Sequence, residues 1–239
     1  MLPGFSLVIP AYNEAHRIGQ TLRDAMSYLR DNSADSEVIV VDDGSSDSTA
    51  EVVRSAAGDF PEIEMRLLER KPNTGKGAAV RAGLLAARRP VALFSDADLS
   101  TPIAEAAKLL APIFAGELDV AFGSRALDRR LIGDRQVWHR EQAGRLFNLA
   151  VRAMTGLPFW DTQCGFKAFR LEPLQPILGA ARSDGFGFDV ELLYLAHRAG
   201  LRMREIPVRW NHHEGSKVHM LHDSLHMLQE VVALRMRSR

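Results

Sequence analysis

What is scarce in this 239-residue sequence sets its first limits. A single cysteine, Cys164, closes no intramolecular disulfide and supplies no multi-cysteine zinc site, so a disulfide scaffold and a thiolate zinc module are both excluded. A reducing compartment is the simplest setting. No apolar run approaches the roughly 20 residues that span a bilayer, and the opening MLPGFSLVIPAYNE lacks the basic n-region and long h-region of a secretory signal. The expected location is therefore cytoplasmic, with any membrane attachment peripheral and on the cytoplasmic face. Net charge is also lacking, since 30 Lys+Arg balance 30 Asp+Glu, which argues against bulk nucleic-acid binding. Internal repeats, low-complexity tracts and Pro/Gly-rich linkers are missing too. What is there, 46% hydrophobic and 25% charged residues, is the composition of an ordinary globular protein with a substantial core.

Neutrality conceals an asymmetry. Residues 1–120 hold 12 Lys+Arg and 18 Asp+Glu, net −6, and residues 121–239 hold the other 18 and 12, net +6. Such a division suggests different partners for the two halves.

The first half alternates short apolar runs with helical patterns. Runs at Phe5–Pro10, Glu37–Asp42, Met65–Leu68, Val91–Ser95 and Val120–Gly123 predict strands buried on both faces. Helices are predicted over Glu14–Leu29, Asp47–Ala57, Gly75–Arg88 and Pro102–Ala111. Asp47 or Ser48 would cap the second, and Thr101 the fourth with Pro102 in its first helical position. This rhythm predicts an α/β fold with a mainly parallel sheet flanked by helices. The second half predicts a helix over Ala143–Thr155, strands around Cys164–Phe169 and Met203–Trp210, and helices around Val190–Ala199 and Val218–Met236. The expected organisation is one domain, 1–239, with a donor-binding half, 1–124, and an acceptor-binding half, 125–239, that ends in an amphipathic helix.

Ligands of open parallel sheets bind beyond the carboxyl ends of the strands. Four polar clusters fall there: Ala11-Tyr12-Asn13-Glu14, Asp42-Asp43-Gly44-Ser45, Asp96-Ala97-Asp98 and Ser124-Arg125. Asp42 and Asp43 suit a turn and helix cap as well as a ligand. Asp96 and Asp98 project to the same side and repel unless a cation or hydrogen-bond donors offset them, which points to Mg²⁺ or Mn²⁺ shared with substrate phosphates. Asn73-Thr74-Gly75-Lys76-Gly77 would bring a lysine and a helix N-terminus to an anion, although its glycines suit close helix packing equally well. It is not a P-loop, because Gly77 follows the lysine, and no GxGxxG follows the first strand.

Together these residues resemble the family 2 inverting glycosyltransferases of the GT-A fold. The matching pieces are IPAYNE (9–14), VVDDGSSDST (40–49), NTGKGAA (73–79), Asp96-Ala97-Asp98 and Gly123-Ser124-Arg125. DADLSTP (96–102), DTQCGFKAF (161–169), FDVELLY (188–194), EIPVRW (205–210) and EGSK (214–217) narrow the likeness to the dolichyl-phosphate β-glucosyltransferases, which use UDP-glucose and a polyprenyl phosphate. The resemblance implies that Pro10, Tyr12, Glu14 and Asp42 line the nucleoside pocket, with Lys76 near the nucleotide. Asp96 would face ribose and metal, and Asp98 would ligate the metal. Arg125 and Arg140 would meet the acceptor phosphate. Eukaryotic members carry an N-terminal membrane anchor and related bacterial enzymes often carry C-terminal membrane helices. Neither is found in this sequence, so the motifs alone imply the lipid.

The implied reaction is a single displacement with inversion, centred on Asp98, Arg125, Asp161, Lys167 and Asp189. A phosphate nucleophile is already ionised and needs positive groups to hold it, for which Arg125, Arg140, Lys167 and Lys217 are the candidates. A neutral hydroxyl acceptor would instead need Asp161, Asp189 or Glu191 as general base. Failing that, these acids position Lys167 or an arginine. Cys164 suits packing, and His222 and His226, spaced i, i+4, suit surface or packing roles better than a metal. The closing helix suits packing against the domain or a partner, with a membrane surface as the alternative. A soluble hydroxyl or phosphate acceptor, or a noncatalytic nucleotide-sugar-binding subunit, are the alternative functions. A membrane-protein partner and a homodimer are both left open.

Overall fold

The structure is a computed structural model that describes residues 1–133, 138–212 and 220–237. Seven strands form one sheet in the order β3-β2-β1-β4-β6-β5-β7. They are β1 (Ser6–Ala11), β2 (Glu37–Asp42), β3 (Glu64–Glu69), β4 (Val91–Ser95), β5 (Val120–Ser124), β6 (Phe166–Arg170) and β7 (Met203–Pro207). β1, β2 and β4 are buried along their whole length, as expected of Val- and Ile-rich runs without polar alternation. β3, at an edge, stays partly exposed. Neighbouring strands pair in parallel except at β6, which runs antiparallel between β4 and β5. The sheet does not break near residue 124, because β6 and β7 of the second half complete it.

Helices cover both faces. On one, Phe5, Leu7, Ile9, Val38 and Val40 pack with α1 (Ile18–Asn32), α2 (Thr49–Gly58) and α4 (Ala106–Phe114). On the other, Val8, Ile39, Val41, Phe94 and Phe122 pack with α3 (Lys76–Ala86), α6 (Leu171–Ala180) and α7 (Phe188–Arg198). A smaller core joins α5 (Trp138–Thr155), α7 and α8 (Met220–Arg237) through Phe147, Val151, Val190, Met227 and Val231. Fully burying one such leucine, valine or phenylalanine contributes about 1.5–3 kcal/mol. The two faces thereby hold the strand ends rigidly enough to carry a site.

Three local expectations are corrected. α1 begins at Ile18, not Glu14, because Asn13 adopts φ +52° and the Glu14 amide donates to Thr49 Oγ1 (2.8 Å). Pro102 is extended (ψ 140°) and stands ahead of a 3-10 turn, Ile103–Glu105, that leads into α4. α6 was not predicted at all. Pro173 falls in its first turn, where no N–H is required, and Pro176 sits inside it. No helix among the described residues is long and apolar enough to cross a membrane.

Candidate active site

The carboxyl ends of β1, β2 and β4, with the start of α3, enclose a cavity of about 410 Å³ lined in part by Pro10, Tyr12, Glu14, Lys76, Asp96 and Asp98. Side-chain bonds to backbone build its rim. Asn13 Oδ1 accepts from the Ser46 amide (2.7 Å) and the Asn13 amide donates to Ser45 Oγ (2.8 Å), which ties the loop after β1 to the loop after β2. Asp47 accepts from the Thr49 and Ala15 amides, so it closes the turn ahead of α2 and pins the first loop.

Asp42, expected in the nucleoside pocket, is buried and accepts from the Ser45 amide (3.0 Å). Asp43 reaches the cavity wall in its place. Its carboxylate accepts from the amides of Thr74 (3.1 Å) and Gly75 (2.7 Å), so it fixes the segment that starts α3. The glycines of that segment serve close packing: a Cβ on Gly75 would lie 2.4 Å from Asp184 O, and one on Gly77 2.5 Å from Phe188 Cβ. With Thr74, Gly75 and Ala78 amides already donating to protein acceptors, Lys76 supplies the positive charge of this wall.

Lys76 Nζ stands 2.6 Å from Asp96 Oδ1 and 5.4 Å from the centre of the Phe94 ring. Burial disfavours its charge, but Asp96, Asp189 and Asp98 outweigh that effect and hold the ammonium above its ordinary pKa. For Asp96, burial is the largest influence and raises the carboxyl, Lys76 opposes it, and the charges of Asp98 and Asp189 add to the rise. This crowding of acids favours a cation. Asp96 keeps 33% of its side chain open, and Asp98 commits Oδ1 to the Ser100 amide (2.9 Å) while lining the same cavity. The pair fits a hard divalent ion held by one or two carboxylates and completed by water and phosphate. Among the described residues no cluster of three or more His, Cys, Asp or Glu side chains forms a full protein cage. Room for Asp96 comes from Gly165 just before β6, where a Cβ would lie 1.9 Å from Asp96 Oδ2. The antiparallel β6 thus brings Gly165 against the end of β4, and the Asp96 amide donates to Gly165 O (3.0 Å).

Arg125, just beyond β5, forms a bidentate pair with Asp161, through Nε to Oδ2 (2.7 Å) and Nη2 to Oδ1 (2.8 Å), and its amide also donates to Oδ2 (3.0 Å). Burial alone would raise the Asp161 carboxyl, but Arg125 holds it below the ordinary range. Burial opposes the Arg125 charge, and Asp161 outweighs it, with smaller help from Asp96. Both Asp161 oxygens are thus engaged by Arg125. Lys167 corrects an expectation: it is fully buried, ion-paired with Asp189, and donates to Cys164 O (2.6 Å), so it has no open face for a phosphate. Asp189 is its counter-charge. Glu191 accepts from the amides of Arg182 (2.9 Å) and Ser183 (2.6 Å) and shapes the segment before α7.

Arg140 lies in α5 with its side chain outside the described residues, and Lys217, His222 and His226 have no described side chains either. Residues that sequence reasoning missed include Arg17, paired with Glu14, and Phe186, which both line the cavity. Phe186 stands in the segment fixed at one end by Glu191 and at the other by Glu230 of α8, whose Oε2 accepts from the Gly187 amide (2.9 Å).

Residues 6–178 match the sequence profile described as Glycosyl transferase family 2. The chain belongs to that family. It is a glycosyltransferase. Among its relatives, the dolichyl-phosphate beta-glucosyltransferase of Dictyostelium discoideum is 34% identical over 97% of this chain and 74% of its own length. The protein of that name from Saccharomyces cerevisiae is 33% identical with the same coverage, and that from Drosophila melanogaster is 37% identical over 89% of this chain and 68% of its own length. The family 2 fold is matched by glucosyl-3-phosphoglycerate synthase from Mycobacterium tuberculosis in complex with UDP, at TM-score 0.70 and 23% identity over 98% of this chain and 79% of that one. The same synthase has been solved with Mn²⁺ and UDP-glucose, at TM-score 0.69 and 21% identity over 98% of this chain and 78% of that one. The GT-A architecture expected from the motifs is therefore the one observed.

Proposed function

We propose that this family 2 glycosyltransferase moves glucose from UDP-glucose to a polyprenyl phosphate of the dolichyl type, with inversion, at the cytoplasmic face of a membrane. One observation carries the reading: relatives at 33–37% identity over 89–97% of this chain bear the name dolichyl-phosphate beta-glucosyltransferase. The geometry supports it in a specific way. Asp161 clamps Arg125, Asp189 clamps Lys167, and Glu191 holds backbone amides, so these three carboxylates are committed and not available as a general base. A phosphate acceptor, ionised at neutral pH, needs none.

In this reading the cavity under Pro10, Tyr12 and Glu14 takes the nucleoside, and Lys76 faces the diphosphate. Asp98 and Asp96 would hold Mg²⁺ or Mn²⁺, which when bound neutralises charge building on the departing UDP. Arg125, oriented by Asp161, holds the acceptor phosphate in line. Arg140 and Lys217 remain candidates for the same phosphate. The test is a screen of UDP- and GDP-sugars against polyprenyl phosphate and phosphoglycerate, read as acceptor-dependent nucleotide release. The reading expects UDP-glucose with the lipid phosphate to be the best pair. Faster release with the soluble acceptor would overturn it.

A further inference from the structure

We propose that the outer face of α5, continued by Trp160 and the end of α8, is a docking surface for an anionic phospholipid bilayer. The inference deepens the reading above, since it supplies the surface on which a lipid phosphate would be met. α5 buries Phe147 and Val151 against Met227 and Val231 of α8. Its opposite side exposes two large apolar side chains among polar ones: Leu146 is 70% exposed and Leu149 58% exposed. Spacing of three residues stacks them on one face, and Arg152 continues the line. The Arg152 guanidinium lies 3.6 Å from the centre of the Trp160 ring, and Trp160 is 53% exposed. An apolar ring carrying a cation suits the headgroup level of a membrane. Arg235 of α8 donates to Met154 O, which sets the end of α8 beside the end of α5, and Val232 and Met236 of α8 are exposed.

Charge selects the occupant. The cations described on this face, Arg152 and Arg235, match an anionic bilayer, whereas Glu230 of α8 is turned inward to the Gly187 amide. Two copies meeting through this face would oppose like charges. The face also continues into the site: the Trp160 and Asp161 amides both donate to Glu205 (2.8 Å each), and Asp161 grips Arg125. Docking through Trp160 therefore holds Arg125 near the depth of lipid phosphates.

Co-sedimentation of the full chain with phosphatidylcholine vesicles, with and without phosphatidylglycerol, tests this without any sugar donor or acceptor. A failed transfer assay and a failed docking assay are thus separate results. The expected result is binding that strengthens with phosphatidylglycerol and weakens with salt. Leu146→Glu and Leu149→Glu should each lower it about tenfold or more, the cost of withdrawing one leucine from hydrocarbon. Arg152→Glu should weaken binding to anionic vesicles most. UDP-glucose affinity and melting temperature should be unchanged in all three, which controls for folding. Wild-type protein that stays in the supernatant with anionic vesicles would overturn the proposal. So would glutamate variants that bind like wild type, or a wild-type dimer in sedimentation velocity that Leu149→Glu dissociates.

Discussion

Asp161→Asn separates an anchoring role for this residue from a basic one. The substitution keeps the volume and one acceptor oxygen but removes the charge that meets Arg125 through two side-chain bonds. Breaking a buried ion pair costs about 3–5 kcal/mol. Arg125 keeps 31% of its side chain exposed, so water recovers part of that and about 2–3 kcal/mol remains. For a chain of this size the melting temperature should fall by about 5–10 °C. A loosened Arg125 should lower kcat/KM for the acceptor about 100-fold, with donor KM changed less than about threefold, because misplacement by about an ångström has that scale of effect. Scanning calorimetry and initial rates with varied acceptor give both numbers. Arg125→Lys should resemble Asp161→Asn, and the double variant should be little worse than either, since the two act as a unit. Wild-type stability with unchanged acceptor kinetics in Asp161→Asn would refute the anchoring argument. A loss confined to kcat, insensitive to Arg125→Lys, would point to Asp161 as a base.

Four other outcomes follow from the same packing. Gly165→Ala places a methyl against Asp96 Oδ2 (1.9 Å in the unrelaxed geometry) and should weaken divalent-metal affinity, measured by calorimetry, by about tenfold or more while the fold persists. Lys167→Met leaves Asp189 buried without its partner and should cost about 3–5 kcal/mol in urea unfolding, much of which Lys167→Met with Asp189→Leu should recover. Cys164, buried with its thiol pushed up to about 11, should resist alkylation in the native protein at pH 8 and react on unfolding. Asp161 and Asp119 titrate below their unfolded values, the first because its pairing with Arg125 outweighs burial and the second through Arg202. Their contribution to stability should therefore be complete above about pH 5 and disappear as acid protonates the folded carboxyls, visible as a falling melting temperature below about pH 4.

Much of this architecture can be read from residue pattern, for a physical reason. Strands buried on both faces must be continuous apolar runs, so Glu37–Asp42 and Val91–Ser95 coincide with the predicted limits. The polar ends of such strands identify the rim, where Tyr12, Asp96 and Asp98 line one cavity, and the helix-start pattern around Lys76 supplies its other wall. Charge without burial was the weak point. Lys167 reads as a phosphate ligand by type, yet a lysine flanked by Phe166 and Ala168 in a central strand lies where no solvent reaches, and its partner Asp189 arrives from α7 through tertiary packing. Its apolar flanks were the available signal. Asp42 and Asp43 are adjacent and identical, so only backbone direction decides which one turns inward to Ser45 and which faces the cavity. α6 carries Pro173 in the turn that tolerates proline and Pro176 inside it, so its sequence lacks an uninterrupted helical run.

In the proposed reaction glucose passes to a lipid phosphate at a site organised by Asp98 and Arg125. Incubating the purified chain with radiolabelled UDP-glucose, Mn²⁺ and polyprenyl phosphate, then recovering label in the organic phase and assigning its anomeric linkage, tests that reaction most directly. The expected product is a β-linked glucosyl phosphate lipid, absent with Asp98→Ala and reduced about 100-fold with Arg125→Lys. Label appearing only in a water-soluble product, or undiminished lipid product in both variants, would contradict the proposed reaction.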